Sequence, residues 1–278
     1  MCNSSYEILD LDLNGKEITQ KITEIRKKGN VIINNCYINF MTYPIHKITN
    51  CIVGENTICV VVIDEEINRL YTCSRDKDEL SYIIRTRSDL CNSVVEIVSR
   101  EREDQRKLIA DCGLVLLSSL LRVACDDISV DKIQGLIKKS DDYGDSKTAL
   151  AEECDAKEIL EILQREFDQR ISHIGSIDSI REAINNEQFI IVRDSENRIV
   201  SLLQKHEMPR KYYINQIINR GCKSSFYEMV YNSIKQYCDN GGKYIYAWVE
   251  ETNIASMKFH EKIGLKPDGT YTDVYVLS

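Results

Sequence analysis

Between Asp155 and Leu277 the hydrophobic pattern switches repeatedly between the helical period of about 3.6 residues and the two-residue period of a strand. Ile159, Leu163 and Phe167 recur at i, i+4 and i+8, with Leu160 and Ile162 widening the stripe, and a second helix is expected over Ile177–Asn185. Phe189–Val192 and Arg198–Gln204 read as a hairpin around Asp-Ser-Glu-Asn, followed by a strand over Tyr212–Ile218. A long helix then runs to about Cys238, with Phe226, Met229, Val230, Ile234 and Tyr237 on one face, until Asn240, Gly241 and Gly242 stop it. A strand over Tyr244–Glu250, a helix over Asn253–Ile263 and a strand over Tyr271–Leu277 follow. This order restricts the half to an α/β fold, a central mixed sheet flanked by helices.

The polar stretch Ser140–Lys147, SDDYGDSK, lacks apolar periodicity and reads as a linker at 140–147. It separates residues 1–139 from 148–278. An internal repeat spans it. Glu96–Val123 parallels the segment from Ala247, each a strand, an acidic turn, a helix, Gly-Leu and a strand, with Gly113 opposite Gly264. Upstream, VVVIDEEINRLYTC parallels FIIVRDSENRIVSLL, which sets Arg69 opposite Arg198. Arg69 to Gly113 is 44 positions whereas Arg198 to Gly264 is 66. The shortfall is about the length of the loop and helix from Arg220 to Asp239. The spacing therefore predicts a duplicated domain whose first copy has lost that element.

Charge and cysteine usage remove several function classes. The formal charge of −8 opposes nucleic-acid binding, which needs a basic surface, and suits a cationic amine. Eleven cysteines stand singly, without a CxxC pair or a cysteine–histidine cluster at zinc spacing, so no metal site is expected and the thiols fit a reducing cytoplasm. His46, His173 and His206 have no partner spacing that suggests a metal or a triad. The N-terminus MCNSSYEILD does not read as a signal peptide. The most apolar window, Gly113–Ala124, is interrupted by Ser118, Ser119 and Arg122 and falls short of the roughly 20 residues of a membrane span.

Two motifs carry the chemistry. In Thr252–Gly269, TNIASMKFHEKIGLKPDG, Asn253 is a sound N-cap and Gly264 supplies the left-handed residue after the helix. The string resembles the C-terminal motif of GNAT acetyltransferases, N-x-x-A/S-x-x-F-Y-E-K-x-G-F. Asn253, Ser256, Phe259, Glu261, Lys262, Gly264 and Leu265 fall in register with it. Between the strand Tyr212–Ile218 and the long helix lies NRGCKSSF, a helix start able to seat a pyrophosphate on its free N–H groups. It is similar to the family's Q/R-x-x-G-x-G/A loop, with Arg220, Gly221, Cys222, Lys223, Ser224 and Ser225 in its place. Lysine and serine stand where the family has glycines, which leaves two alternatives: the Lys223 side chain and the hydroxyls of Ser224 and Ser225 hold the phosphates instead, or the site is crippled.

The resemblance implies tandem GNAT-like domains, the first degenerate and without cofactor, the second binding acetyl-CoA as cosubstrate. It implies that the two strands around the loop splay apart and that the backbones of Ile217 and Ile218 meet the pantetheine arm. Asn253 and Phe259 join that cofactor set. His260 falls at the position of the family's general-acid tyrosine, with Tyr271 and Tyr275 in reserve. Gln216 stands where a general base would sit and cannot serve, which leaves Glu250 and Glu251. Trp248 is expected in the core or lining an acceptor pocket. The expected reaction is direct acetyl transfer to a primary amine of a small molecule or peptide, with the first lobe walling the acceptor site or making a homodimer contact. The alternatives are a non-catalytic CoA-binding or interaction protein, and an aminoacyl transferase using charged tRNA, which the acidic charge opposes.

Overall fold

A computed structural model describes residues 6–138 and 147–277. Most of the linker expected at 140–147 lies outside the described residues. Lys147, its last residue, opens a strand.

The N-terminal half runs β1 (Leu9–Asp10), α1 (Gly15–Lys27), β2 (Ile33–Asn34), β3 (Ile48–Val53), β4 (Thr57–Asp64), β5 (Ile67–Ser74), α2 (Lys77–Thr86), β6 (Val94–Ser99), α3 (Arg102–Asp111), β7 (Leu114–Cys125) and α4 (Val130–Lys138). The C-terminal half runs β8 (Lys147–Leu150), α5 (Ala156–Glu166), α6 (Ile177–Asn185), β9 (Phe189–Arg193), β10 (Ile199–Met208), β11 (Lys211–Asn219), α7 (Lys223–Asp239), β12 (Tyr244–Glu250), α8 (Ile254–Ile263) and β13 (Lys266–Leu277). The α/β architecture expected from the pattern is what forms. α6 and β12 keep the bounds read from periodicity, and β13 begins earlier than the expected Tyr271.

The chain divides into two compact units that do not follow a 1–139 and 148–278 split. One holds the described residues up to Ser119, with Gln169–His173 and those from Tyr271 onward; the other holds Leu120–Asp168 and Ile174–Thr270. The last six residues of β7 thus belong with the C-terminal half, where Leu120–Cys125 pair antiparallel with β12. Most of β13 belongs with the N-terminal half, where Tyr271–Val276 pair with β6. Strand pairing between distant segments leaves no local mark in the sequence.

In the first unit the strands run β1-β3-β4-β5-β6-β13, with β5 and β6 parallel at Arg69 and Val94. The order β5, α2, β6 corrects the inference that this copy has lost its loop and helix. A helix of ten residues stands there, between strands paired as β11 and β12 are paired around α7. The two acidic-turn hairpins look alike in sequence, and overlaying β4–β5 on β9–β10 placed the repeat one strand out of step. The start of α2 is filled by the protein's own carboxylates. Asp76 caps it by accepting from the N–H groups of Asp78 and Glu79. Buried Glu79 accepts from Glu55 and Asn56 N–H at 2.9 Å each.

In the second unit the strands run β7-β12-β11-β10-β9-β8, parallel only between β11 and β12. α7 packs Met229, Val230 and Ile234 on one face of the sheet, against Tyr212, Ile214, Ile245 and Ala247. α5 and α6 pack Ile159, Leu163 and Ile180 with Leu202 and Ile218 on the other. Each such fully buried aliphatic side chain contributes about 1.5–3 kcal/mol, so both faces hold the central strands firmly.

Candidate functional site

β11 and β12 part company midway. Lys211–Ile214 pair with Tyr244–Ala247, and beyond Ile214 and Ala247 the two strands are unpaired. Two features force the separation. On β10, Gln204 pairs with Gln216 and Lys205 with Ile214, so Asn215 is an extra residue bulged out of β11. A bulge increases local twist and bends its strand. The bulged side chain is held by Asn215 Nδ2 donating to Gln204 Oε1 at 2.9 Å. β12 meanwhile keeps its partner on the other side, with Trp248, Val249 and Glu250 paired to Arg122, Leu121 and Leu120 of β7.

A cleft of about 610 Å³ opens beside the parted segment of β11. Ile217, Ile218 and Asn219 form one wall, the start of α7 supplies Lys223, Phe226 and Tyr227, and α8 supplies Asn253, Lys258, Phe259 and Lys262. Phe226 and Phe259 meet with ring centroids 5.1 Å apart, giving the cleft an aromatic floor. Three lysines and the start of a 17-residue helix converge on it. That helix start has no side-chain cap and no acidic residue in its first turn, unlike α2. Its positive dipole end is suited to a phosphate. Glu166, at the end of α5, is the one carboxylate lining the cleft among the described residues, and it is ion-paired with Arg220.

Comparison with solved structures gives matches along nearly the whole chain. A GCN5-related N-acetyltransferase from Sphaerobacter thermophilus matches 96% of this chain and 94% of its own, with a TM-score of 0.61 and 8% identity. A tandem GNAT protein from the clavulanic acid biosynthesis pathway matches 98% of both chains, with a TM-score of 0.57 and 8% identity. An acetyltransferase of the GNAT family from Colwellia psychrerythraea matches 97% and 98%, with a TM-score of 0.53 and 9% identity. The chain has a tandem GNAT fold. At these identities the likeness is one of fold. No family model matches the sequence, and no curated protein matches it.

Within the GNAT fold, the cleft gathers Ile217, Ile218, Lys223, Asn253 and Phe259 from the expected cofactor set. The side chain of Asn253 is spent on capping, accepting from Ser256 N–H at 3.0 Å. The remaining loop residues do not line it. Ser224 and Ser225 are buried in the first turn of α7, and Cys222 Sγ lies 2.8 Å from Ser224 Oγ. Their hydroxyls therefore face protein, which corrects the expectation that they reach a phosphate. Gly221 is explained by packing, since a Cβ there would sit 2.7 Å from Cγ2 of Val200. Arg220 is turned to Glu166 at the rim. Lys258 is not part of the sequence motif and Lys262 enters it only as a matching position, although Ala255, Lys258, Phe259 and Lys262 share one helical face by their spacing.

The expected catalytic residues are not gathered in this cleft. His260 is buried, its Nδ1 donates to the Ser256 carbonyl at 2.8 Å, and Nε2 has no partner among the described residues. Burial pulls its pKa down to about 4, so the ring is neutral at pH 7 and its one proton is tied to the backbone. It is therefore not a general acid in this form. Tyr271 lies on the half of β13 paired with β6, under the Arg102 guanidinium at 4.6 Å. Glu250 ends β12, with its carbonyl capping Asn253 N–H, outside the cleft lining.

His173 also has partners that no spacing suggested. Its Nδ1 lies 3.1 Å from Asp64 and its Nε2 2.8 Å from Glu96, beside Arg69. Burial alone would lower its pKa, but the two carboxylates raise it to about 9. Among the described residues no cluster suited to a metal ion occurs, and no helix is long and apolar enough to cross a membrane.

Proposed function

We propose that this protein is an acetyl-CoA-dependent N-acetyltransferase whose cosubstrate lies in the cleft of the C-terminal unit. The observation that carries this reading is the parting of β11 from β12 beside the uncapped start of α7. The backbone of Ile217 and Ile218, unpaired toward β12, is free to hydrogen-bond the amides of a pantetheine arm. The α7 N–H groups, with Lys223, Lys258 and Lys262, would hold the phosphates. Bound acetyl-CoA supplies an acetyl group on a thioester, open to attack by an amine. Because the departing thiolate resembles that of cysteine, with a pKa of about 8.5, it can leave near neutral pH without a strong acid beside it. The first unit has the matching helix start closed by Asp76 and Glu79, so one site per chain is expected.

Calorimetric titration with acetyl-CoA and with CoA tests this. Micromolar binding, about −8 kcal/mol, at one site per chain and lost in Lys223→Glu, is the expected result. No binding at millimolar ligand would remove the reading.

A second reading, a CoA-binding protein without catalysis, is favoured by one observation. The position of the family's general acid carries a buried, neutral His260 with no proton to give the cleft. CoA binding without acetylation of any amine tested would favour it. An amine acceptor and a cytoplasmic setting belong to the first reading.

A further inference from the structure

Two buried polar atoms of the C-terminal unit lack a partner among the described residues, Nε2 of His260 and Oε1 of Gln216. Oε1 of Gln216 is shielded from solvent, in a residue only 4% exposed, and receives no hydrogen bond from any described residue. Leaving a buried acceptor unpaired costs about 1–3 kcal/mol, so its persistence calls for an explanation.

Its position supplies one. The extra residue Asn215 reverses the alternation of β11, so that Ile214 and Ile217 both face α7. Gln216 therefore falls on the other face with Ile218, the face that α5 and α6 cover only in part. It is also the second residue past Ile214, where the pairing to β12 ends. By its place in β11, Gln216 lies just past the end of the pairing with β12, on the face opposite α7.

That face carries a ladder of rings. His206 on β10 stacks on Tyr213 of β11 at 5.9 Å, Tyr213 on Tyr246 of β12 at 4.8 Å and an interplanar angle of 10°, and Tyr246 on Tyr244 at 5.6 Å. All four are half-buried. Trp248 follows Tyr246 on the same face, with the Arg122 guanidinium 5.8 Å from its ring centre. Aromatic side chains recognise other rings through stacking and edge contacts, and ammonium groups through their faces.

We propose, resting on the acetyltransferase reading, that Gln216 seats the acceptor. Its Oε1 accepts an N–H of an amine that carries an aromatic ring, and that ring rests on the shelf of Tyr213, Tyr246 and Trp248. An amide oxygen takes no proton, so Gln216 is a positioning residue. The neutral amine keeps its lone pair for the thioester carbon. The C–N bond forms, the C–S bond breaks with its electron pair left on sulfur, and the proton shed by nitrogen ends on that thiolate.

The test is calorimetric titration of phenethylamine, and of n-butylamine as its ring-free counterpart, into CoA-saturated protein. Phenethylamine is expected to bind at least tenfold tighter than n-butylamine. Gln216→Leu should weaken both amines at least tenfold while leaving the Kd of CoA unchanged. Tyr246→Ala should weaken phenethylamine alone. Unchanged CoA affinity in each variant shows that it is folded, and Gln216→Glu, which keeps an acceptor oxygen, should restore amine binding. Equal affinities for the two amines, no phenethylamine binding, or wild-type affinity in Gln216→Leu would overturn the proposal while leaving the cofactor site standing. Failure of CoA to bind the wild-type protein would instead strike the acetyltransferase reading, and this proposal with it.

Discussion

Nδ1 of His260 donates to the carbonyl oxygen of Ser256 across 2.8 Å, one turn back along α8, and that bond fixes the tautomer of a buried ring. Desolvation lowers its pKa to about 4, only partly opposed by the backbone bond. In the unfolded chain the ring titrates near 6.5. Between those values the unfolded state takes up a proton that the folded state refuses, so stability must fall as pH drops from about 6.5 to 4. At about 1.4 kcal/mol per unit the loss is roughly 3 kcal/mol. Urea midpoints measured from pH 7 to 4 should show this slope, and His260→Phe should flatten it. An unchanged slope in the variant would mean that the ring is not held neutral.

Glu166 places a negative charge in a cleft otherwise rimmed by Lys223, Lys258 and Lys262, where it engages Arg220, with Arg165 also 3.5 Å away. A phosphate entering the cleft is repelled by that carboxylate's like charge. Glu166→Gln should therefore tighten acetyl-CoA binding severalfold. The gain should be larger at low salt, because partly exposed charges are screened over about 8 Å at physiological ionic strength. Weaker binding in the variant would assign Glu166 the opposite task, that of holding Arg220 in place for the ligand.

Gly221 sits against Val200, and a Cβ at this position would come within 2.7 Å of Cγ2. The neighbouring residue is tied to β10 by Arg220 N–H donating to the Val200 carbonyl at 2.8 Å, so the loop has little freedom to yield. Overpacking of this kind costs about 1–3 kcal/mol. Gly221→Ala should lower the thermal midpoint and weaken acetyl-CoA binding together, because the same displacement moves the start of α7. Weakened binding at full stability would mean instead that the ligand needs the space itself.

What could be read from sequence was what local periodicity encodes. The stripe of α5, the capped α8 with left-handed Gly264 after it, and the strand β12 follow from residue types a few positions apart. The cleft was half legible: the strand-to-helix junction pointed to Lys223, whereas Ile217 and Ile218 came only from the resemblance to the GNAT family, because a parted strand pair leaves no mark in local sequence. Lys258 and Lys262 needed the helix to be rotated against α7, and Glu166 had to come from an element more than fifty residues upstream of both. His260 shows the limit most clearly. Its register in the motif is right, yet its burial and its bond to Ser256 remove the chemistry that the register implies.

His173 titrates in the opposite sense. Burial would lower its pKa, but Asp64 at 3.1 Å and Glu96 at 2.8 Å hold the ring charged to about pH 9. Burial would likewise raise Asp64 and Glu96, and their contacts with His173 and Arg69 bring both below the usual carboxylate range. A folded pKa above the unfolded value near 6.5 contributes stability that is fully present below that value. The contribution is lost as pH rises through about 9. His173→Gln should therefore lower the thermal midpoint at pH 6 and leave it nearly unchanged at pH 10. Because the His173 side chain is 48% exposed, salt should shrink the difference. Arg69 tests the cluster from within. It is buried, bonded to Asp64 at 2.7 Å, and donates to the Gln169 carbonyl at 3.2 Å, so Arg69→Met should strip the charge that lets two carboxylates share one imidazole. The variant should be less stable at every pH where both acids are ionised, and its deficit should narrow as pH falls and they take up protons. A deficit independent of pH would show that Arg69 acts through packing alone.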